Sequence, residues 1–392
     1  MKRLLVVANP FPPLASAGTA RVLRFLRHLP DHGWEATVLT AEAHGPAPTP
    51  EFVRVVRTPT LVPRALLQGG RRAKLAGWLF VPDPYAPWIP TAVAAGRRLL
   101  AAESFDAVLS SHPRASTHVV ASCLARPGGP PWLADYRDRR FANDVRPYPT
   151  AAHAAAMRRL EAHVLRRAAA VSAINQPILD DLIARHPWLG GRGHVLPNGY
   201  DELETPEPVD LGPGFWIVYT GRLYRRERVL ESFLAALATL PDDVKVLFVG
   251  DAPRVVPVAE RLGVAHRVHV EPLVPLGVAL GYQRAASALL LITHERPESM
   301  SSKVFEYLRS GRPVFAITGP ETAAARVLET VGGAVAVGHD GDIRTALGDL
   351  VAAVRAGAAP VADAAALARY DMASVTAELA AVLDRLAAGG DH

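Results

Sequence analysis

The segment LPNGYDELETPEPVDLGPGF (residues 196–215) separates two halves of the chain that show the same sequence pattern. It is rich in turn-forming and acidic residues, which is typical of a connection between domains. A chain of 392 residues is too long for one ordinary domain, so two are expected. We predict an N-terminal domain over 1–195, a linker over 196–215 and a C-terminal domain over 216–375. A C-terminal helix over 376–392 could pack back on the N-terminal domain.

Apolar runs alternate with helical patterns on both sides of this linker. Before it, buried parallel strands are predicted at 3–9, 35–41, 52–58, 106–111, 130–138 and 170–175, and helices at 19–33 and 151–168. After it, strands are predicted at 216–221, 245–250, 267–272, 288–293 and in the apolar stretch that follows Pro313, and helices at 229–240, 255–263, 278–286 and 303–310. This repeated alternation predicts an α/β protein with two doubly wound, Rossmann-like domains that face each other across a cleft. That cleft is the expected ligand site.

The composition narrows the class of protein. Hydrophobic residues make up 49% of the chain and charged residues 21%, which indicates a globular protein. The single cysteine, Cys123, excludes an intrachain disulfide framework and a cysteine metal cluster, and it fits a reducing compartment. The N-terminal apolar run LLVVA is too short for a signal peptide, and no run reaches the length of a membrane span. We expect a cytoplasmic protein, with peripheral contact at the inner membrane face as an open alternative.

Charge is distributed unevenly along the chain. Residues 1–196 carry 25 basic and 13 acidic side chains, a net +12, whereas residues 197–392 carry 18 and 25, a net −7. Such asymmetry suggests that the halves have different partners. The basic half could meet a phosphorylated substrate, an anionic membrane face or nucleic acid. Ordinary surface solvation is the alternative.

The stretch PESMSSKVFEYLRSGRPVF (297–315) places a lysine at the start of a predicted helix. The three serines before this lysine are predicted to cap that helix and to lie where backbone N–H groups attract phosphate; they are Ser299, Ser301 and Ser302. Lys303 would add a full positive charge there. It is one of only four lysines beside 39 arginines, so its choice is suggestive. The alternative is a solvated residue of the first turn.

Two glutamates flank this lysine. Glu298 and Glu306 are eight residues apart, which spans about 12 Å if the intervening chain is helical. That distance is comparable to the reach from a ribose across a diphosphate to a sugar. Each carboxylate could accept charge-assisted hydrogen bonds from the hydroxyl groups at one end. The alternative is that both acids only solvate a helix.

Together these segments resemble the retaining glycosyltransferases of the GT-B fold, a family that includes glycogen-synthase-like, sucrose-synthase-like and bacterial mannosyl- and N-acetylglucosaminyltransferases. The resemblance covers nearly the whole chain. It is carried by LPNGYD (196–201), VYTGRL (218–223), LFVGDAP (247–253) and PESMSSKVFEYLRSGRPVFAI (297–317).

The resemblance implies roles for individual residues. Glu306 would bind the ribose hydroxyls and Glu298 would face the donor sugar, while the backbone of 299–303 would hold phosphate and sugar. Arg222 would neutralise the diphosphate, and Gly18 would let a helix start approach the donor.

The chain departs from the family pattern at three places. Ser299, Met300 and Ser301 replace the usual glycines after the first glutamate. The usual lysine after Arg222 is replaced by one of several arginines, of which Arg226 is favoured over Arg225 and Arg228. The position of a family histidine is held by Arg137, within a D-x-RD pattern that carries Asp135 and Asp138; Asp138 could serve as a base or an acceptor ligand, or could pair with an arginine to fix a loop.

Other polar or basic segments have functional and structural interpretations. His112 follows a predicted strand and could reach the cleft or form a loop hydrogen bond. Asp340 and Asp342 resemble a metal-binding pair, but helix capping is the preferred interpretation and no metal is expected. Residues 61–90 mix basic, apolar and aromatic side chains, which suggests a lipid-linked, phosphorylated or large apolar acceptor; the alternative is a covering helix with snorkelling arginines.

The resemblance therefore implies a retaining, metal-independent hexosyltransferase that uses a nucleotide-diphosphate sugar as co-substrate and no cofactor. A UDP-sugar is favoured and a GDP-sugar comes next. The acceptor would be a lipid-linked or cell-envelope glycan or a secondary metabolite, and nucleic acid is not expected as a partner. Two alternatives stay open: a sugar-nucleotide epimerase or isomerase of the same fold, and a non-catalytic nucleotide-sugar-binding protein.

Overall fold

The computed structural model describes residues 1–14, 17–43, 50–62, 78–138, 148, 150–223 and 227–389. The chain forms two compact units, and the first is discontinuous in sequence. It consists of Met1–Pro197 together with Met372–His392, while the second consists of Asn198–Asp371. Each unit has its own parallel sheet.

The strands in the described part of the chain follow the predicted positions closely and extend the prediction by two short strands, Gly193–Val195 and Ala334–Val337. They are β1 (Lys2–Ala8), β2 (Trp34–Ala41), β3 (Arg54–Thr58), β4 (Ala107–Ser111), β5 (Trp132–Tyr136), β6 (Ala170–Ala173), β7 (Gly193–Val195), β8 (Phe215–Thr220), β9 (Val244–Val249), β10 (Val268–Glu271), β11 (Ala288–Ile292), β12 (Val314–Ile317) and β13 (Ala334–Val337). Most are apolar runs that are buried on both faces, as parallel sheets require.

The helices of the same residues lie between the strands. They are α1 (Ala17–His28), α2 (Ile89–Ala102), α3 (Ala115–Leu124), α4 (Ala151–Leu165), α5 (Gln176–Arg185), α6 (Glu227–Leu237), α7 (Val255–Arg261), α8 (Leu276–Ala285), α9 (Lys303–Arg309), α10 (Ala323–Val331), α11 (Ile343–Arg355), α12 (Ala364–Ala368) and α13 (Met372–Ala387). None of these helices is long and apolar enough to cross a membrane.

Both sheets are doubly wound, which confirms the predicted fold class. The strand order is β3-β2-β1-β4-β5-β6-β7 in the first unit and β10-β9-β8-β11-β12-β13 in the second. In each sheet the order reverses between the first strand of the unit and a later one: between β1 and β4, and between β8 and β11. The crevice outside the carboxyl ends of such strands is where ligands bind in open α/β sheets.

Side-chain alternation on β8 builds a core on each face of the second sheet. Phe215, Ile217 and Tyr219 pack in one cluster with α6, α7 and α11, whereas Trp216 and Val218 pack in the other with α9 and α10. The sheet is therefore covered on both faces, and its carboxyl edge is left to carry polar residues.

The helix α13 belongs to the core of the first unit. Val375, Leu379 and Leu383 pack there with Leu4, Val6 and other residues of β1 and α1. Residues 196–215, predicted as a linker, divide between the two units at Pro197. The part in the second unit is held against α8, where the Glu207 amide donates to the Gly277 carbonyl at 2.9 Å.

Candidate active site

The carboxyl ends of β8 and β9 approach each other through two glycines. Gly221 has a φ of 93° and Gly250 a φ of 128°, backbone conformations that residues with a side chain rarely adopt. The Gly221 amide donates to the Val249 carbonyl at 2.6 Å. A β-carbon on Gly250 would lie 2.6 Å from the Gly221 carbonyl oxygen, so the close contact of the two turns requires glycine there.

Lys303, the first residue of α9, lies over the end of β8. Its ammonium nitrogen is 3.9 Å from the centroid of the Tyr219 ring, close enough for a cation–π interaction. A β-carbon built on Gly221 would lie only 3.2 Å from this nitrogen. The structure therefore brings the predicted lysine to the backbone of the predicted Gly221–Arg222 turn, at the point where the strand order of the second sheet reverses.

A buried tyrosine fixes α9 to β8. The Tyr307 hydroxyl accepts a hydrogen bond from the Thr220 amide at 2.9 Å, and the Gln283 amide donates to the Thr220 hydroxyl at 3.0 Å. Burial raises the pKa of Tyr307 above its ordinary value, so its hydroxyl stays protonated. Because Tyr307 is one helical turn beyond Lys303, this anchor also sets the position of the lysine.

Arg222 has an acidic partner that the sequence does not reveal. Its Nε lies 2.9 Å from Asp251 Oδ2, with both side chains more than half exposed. Such an exposed pair contributes little to stability, of the order of 0–1 kcal/mol. An arriving diphosphate could replace Asp251 as the partner of the guanidinium. Arg225 and Arg226 lie outside the described residues.

Glu298 lies on the loop between β11 and α9, and the first turn of α10 holds this loop. The amides of Ala323 and Ala324 donate to the carbonyls of Pro297 and Ser299 at 2.8 and 3.0 Å. Glu298 itself is half-buried. The loop conformation is therefore set by the start of a neighbouring helix.

The predicted helix start is confirmed, but the predicted serine caps are wrong. The helix begins at Lys303. Residues 298–302 are not helical, so the condition for the helical distance between Glu298 and Glu306 is not met. Ser302 is the N-cap, but within the described structure its side chain makes no capping hydrogen bond. Its φ of −58° and ψ of −26° are already helical, whereas a capping side chain needs an extended residue. The Ser301 hydroxyl instead accepts weakly from the Lys303 amide at 3.4 Å.

The predicted residues of the first unit lie near the carboxyl edge of its sheet. Gly18 is buried in the first turn of α1, and Asp138 is exposed two residues after β5. His112 follows β4 and is only 1% exposed. Its ring stacks on those of His118 and Tyr136, with centroids 5.3 and 5.5 Å away.

Asp135 forms a buried ion pair that sequence reasoning missed. Its Oδ1 lies 2.9 Å from Arg21 Nη2, and Ser111 and Ser172 donate to its carboxylate at 2.8 and 2.9 Å. Burial alone would raise the Asp135 pKa, but the Arg21 charge and these hydrogen bonds outweigh burial and hold the pKa below its usual value. Asp135 is thus a structural residue. Only the D-x-RD pattern itself pointed to it.

The structure tests the predicted role of Asp342 and describes only part of the basic segment 61–90. Asp342 caps α11 by accepting from the Thr345 amide at 3.0 Å, which confirms the capping interpretation. Among the described residues, no group of three or more histidine, cysteine or acidic side chains could hold a metal ion. Residues 63–77, half of the basic segment 61–90, lie outside the described residues, including Arg64, Arg71, Arg72 and Lys74. Trp78 and Leu79, the first residues described after this gap, are exposed.

Two glycosyltransferase family models match consecutive parts of the chain. The glycosyl transferase 4-like domain matches residues 16–199, and the glycosyl transferases group 1 model matches residues 214–353. Together with the fold, these matches identify the chain as a member of the GT-B glycosyltransferases. Among curated protein sequences, no match was found.

Solved structures with this fold cover almost the entire chain. HepE from Anabaena, solved in complex with UDP and glucose, is 17% identical with a TM-score of 0.65, over 98% of this chain and 100% of its own. The α,α-trehalose 6-phosphate synthase of Burkholderia multivorans is 15% identical with a TM-score of 0.65, over 100% of both chains. The sucrose-phosphate synthase of Thermosynechococcus elongatus is 16% identical with a TM-score of 0.62, over 99% of this chain and 97% of its own. At these identities the likeness shows the GT-B fold alone.

Proposed function

We propose that the chain is a retaining hexosyltransferase that uses a nucleotide-diphosphate sugar, with a UDP-sugar favoured over a GDP-sugar. The observation that carries this proposal is the position of Lys303 at the reversal point of the second sheet, beside Tyr219 and the Gly221 turn. The UDP bound to HepE, which has the same fold, favours uridine as the base.

Lys303 and Arg222 would stabilise the leaving diphosphate. As the bond between the anomeric carbon and the diphosphate oxygen breaks, the electron pair moves to that oxygen and negative charge grows there. Cationic side chains that are already positioned for this charge lower the barrier, and removing one such group typically costs about 10²–10³ in kcat. With this charge supplied by side chains, we expect transfer to continue in the presence of a chelator.

The acceptor hydroxyl would attack on the face that the diphosphate leaves. Its oxygen forms the new bond to the anomeric carbon, and its proton passes to the departing phosphate oxygen. The configuration of the sugar is then retained without a strong protein base. Asp138, exposed beyond β5, stays a candidate to orient the acceptor hydroxyl.

Glu306 and Glu298 would hold the two ends of the donor. Glu306 is half-buried in the first turn of α9 and would accept from the ribose hydroxyls. Glu298, on the loop that α10 holds, would face the sugar, and the amides of Ser301 and Ser302 would contact phosphate and sugar. The Ser299 amide already donates to the Arg296 carbonyl at 2.8 Å, so Ser299 would contact the ligand through its hydroxyl. Gly18 and Arg226 would complete the donor contacts.

The acceptor is proposed as a lipid-linked or cell-envelope glycan or a secondary metabolite. The exposed Trp78 and Leu79 and the net +12 of residues 1–196 support an acceptor that is anionic or presented at the inner face of a membrane. The protein would then work in the cytoplasm.

The Glu306→Gln variant tests the donor site. Loss of one charge-assisted hydrogen bond, about 1.5–3 kcal/mol, should weaken UDP binding by roughly 10- to 150-fold, measured by titration calorimetry. Glu329→Gln on α10 is the matched control, because Glu329 is an exposed acid of the same unit. UDP affinity that is equal in both variants would contradict the ribose assignment.

Two further measurements test the type of reaction. Proton NMR of the first product formed distinguishes retention from inversion of the anomeric configuration. Release of isomerised sugar nucleotide without acceptor would favour the epimerase.

A further inference from the structure

The amino-terminal edge of the first sheet carries a depression of about 640 Å³. It lies where β5 and β6 begin, with Trp132 and Ala169 in its wall. The carboxyl edge, where His112 and Asp138 follow their strands, is the opposite edge of the sheet. The depression is therefore separate from the residues discussed so far, and its volume is within the range of small-ligand sites, about 300–1,000 Å³.

Four arginines line this depression, and its lining includes no acidic residue. Arg97 comes from α2 and Arg126 follows α3, while Arg166 and Arg167 follow α4. Two of the four side chains have uncharged partners: Arg167 donates to the Ser122 carbonyl at 3.1 Å, and the Arg166 guanidinium lies 5.2 Å from the centre of the Trp188 ring. Arg126 begins a turn in which its carbonyl accepts from the Gly129 amide at 2.9 Å.

These four arginines share one depression and have no carboxylate partner in the described structure. Other exposed arginines, such as Arg158 and Arg159, also lack such a partner but do not line the depression. In the described part of the chain none of the four forms a salt bridge, whereas twelve other arginines do. Those twelve are Arg3, Arg21, Arg54, Arg185, Arg222, Arg228, Arg254, Arg261, Arg267, Arg309, Arg326 and Arg355. Like charges that share a concave surface repel each other. The partial negative charges at the carboxyl ends of α3 and α4 offset part of this repulsion. They do not replace a carboxylate, so guanidinium N–H groups that point outward are available to a ligand.

We infer that this depression is an anion site that binds a phosphoryl group. Guanidinium groups bind phosphate oxygens through paired hydrogen bonds, and several of them around one pocket match a group that carries more than one negative charge. The phosphoryl group could belong to a soluble phosphate ester or to a lipid headgroup, which share this chemistry. Occupancy would be independent of the donor site.

Cys123 offers a local test because it lines the same depression, is half-buried and is the single cysteine of the chain. Its alkylation by iodoacetamide is measured on the full chain at constant ionic strength, with inorganic pyrophosphate or with phosphatidylglycerol vesicles. A site that excludes the reagent when occupied should slow alkylation by about tenfold at ten times the dissociation constant, by mass action. Protection by pyrophosphate indicates a soluble phosphate ester, and protection by vesicles alone indicates a lipid headgroup.

The variant Arg97→Gln/Arg126→Gln should abolish this protection. The control Arg158→Gln/Arg159→Gln removes the same charge from exposed positions of α4 outside the depression and should keep it. Calorimetry with pyrophosphate in a Lys303→Gln background, where the donor site is weakened, gives a second measurement. The inference is overturned if neither anion slows alkylation, or if both double variants are protected equally.

Discussion

At the scale of single residues, Gly250 controls how closely the turns after β8 and β9 approach. Its positive φ and the 2.6 Å that would separate a β-carbon from the Gly221 carbonyl oxygen leave no room for a side chain. Gly221 in turn lies beneath Lys303. A change at Gly250 should therefore reach the candidate site through the backbone.

We expect Gly250→Ala to lower the free energy of unfolding by about 2–4 kcal/mol, because strain and overpacking add. Urea denaturation followed by fluorescence measures this loss. The control is Gly263→Ala, at a φ of 71° with no atom within 4 Å of the new β-carbon, which should cost only about 1–2 kcal/mol. Equal losses would show that the turns separate freely.

His118 is a buried residue with a specific pH dependence. Its Nδ1 lies 2.7 Å from the Ser110 hydroxyl, which also accepts from the Trp132 indole at 2.8 Å. Burial lowers the His118 pKa to about 4, although Asp135 opposes this shift. The unfolded chain, with a histidine pKa of about 6.5, therefore binds a proton at a higher pH than the folded chain.

The contribution of neutral His118 to the free energy of unfolding should be fully present above about pH 6.5 and should be lost as the pH drops from about 6.5 to 4. Between pH 7.5 and pH 5 the loss should be about 2 kcal/mol, since a one-unit pKa difference corresponds to about 1.4 kcal/mol. Urea unfolding at both pH values measures it. His118→Gln should be less stable at pH 7.5 but should show a smaller loss at pH 5; an unchanged pH dependence would assign the effect to other groups.

Sequence reasoning identified some site residues and missed others for physical reasons. Lys303 stood out because the chain uses so few lysines. The Arg222–Asp251 and Arg21–Asp135 pairs join residues from different parts of the fold, and their pairing depends on a tertiary structure that no local pattern encodes. The serine caps were wrong because backbone dihedrals, and not residue type, decide whether a hydroxyl reaches an amide.

At the scale of elements, α2, α3, α5, α10 and α12 were not predicted, and for α3 burial on all sides explains why. In α3 eight of ten residues are buried, among them Ser116, Thr117 and His118. A helix without an exposed polar face has no hydrophobic periodicity to detect. The strands were predictable because their apolar runs are short and end in turn formers, as in β1 and β8.

Thr322 connects the stability of α10 to the loop that carries Glu298. Its side chain is fully buried and accepts from the Ala325 amide at 3.1 Å as the N-cap of α10. The next two residues of the helix hold the carbonyls of Pro297 and Ser299. Displacing the first turn should therefore move the loop.

Thr322→Val should cost about 1–3 kcal/mol of stability, because the cap and buried hydrogen bonds are lost. It should also weaken UDP-sugar binding more than UDP binding, since Glu298 is proposed to face the sugar. Calorimetry with both ligands measures the difference. Asp342→Ala removes an N-cap from α11 and should cost stability without this selective loss, whereas equal effects on both ligands in Thr322→Val would contradict the role of the loop.

At the scale of the whole molecule, the first unit is completed by the last helix of the chain. Leu383 of α13 has no exposed surface and packs in the core of that unit. We expect Leu383→Ala to destabilise the first unit by about 2–5 kcal/mol through lost contacts and a cavity. Hydrogen exchange resolved by peptide should show the loss of protection in β1 and α1.

The matched control is Leu347→Ala in the second unit, where Leu347 is equally buried. Its effect on exchange should appear in β8 and α6. Reduced protection in the second unit for Leu383→Ala would contradict the assignment of α13 to the first unit.

The sequence pattern was sufficient to predict the architecture. It did not show to which of the two units the residues of the predicted linker belong. Repeated strand–helix alternation predicted two doubly wound sheets, which the strand orders confirm. The turn-rich stretch 196–215 looks like a free linker, yet most of it belongs to the second unit and bonds to α8. Composition reports where turns occur, and it does not report which surface a turn packs against.

The insertion of residues 198–371 within the first unit also affects how the chain emerges from the ribosome. The first unit starts to appear first, yet it lacks the apolar side of α13 until translation has passed residue 372. At about 5–20 residues per second, the whole second unit is made during this wait. Nascent β1 and α1 must keep an apolar groove open until the final helix arrives, which makes this groove a natural binding surface for a chaperone.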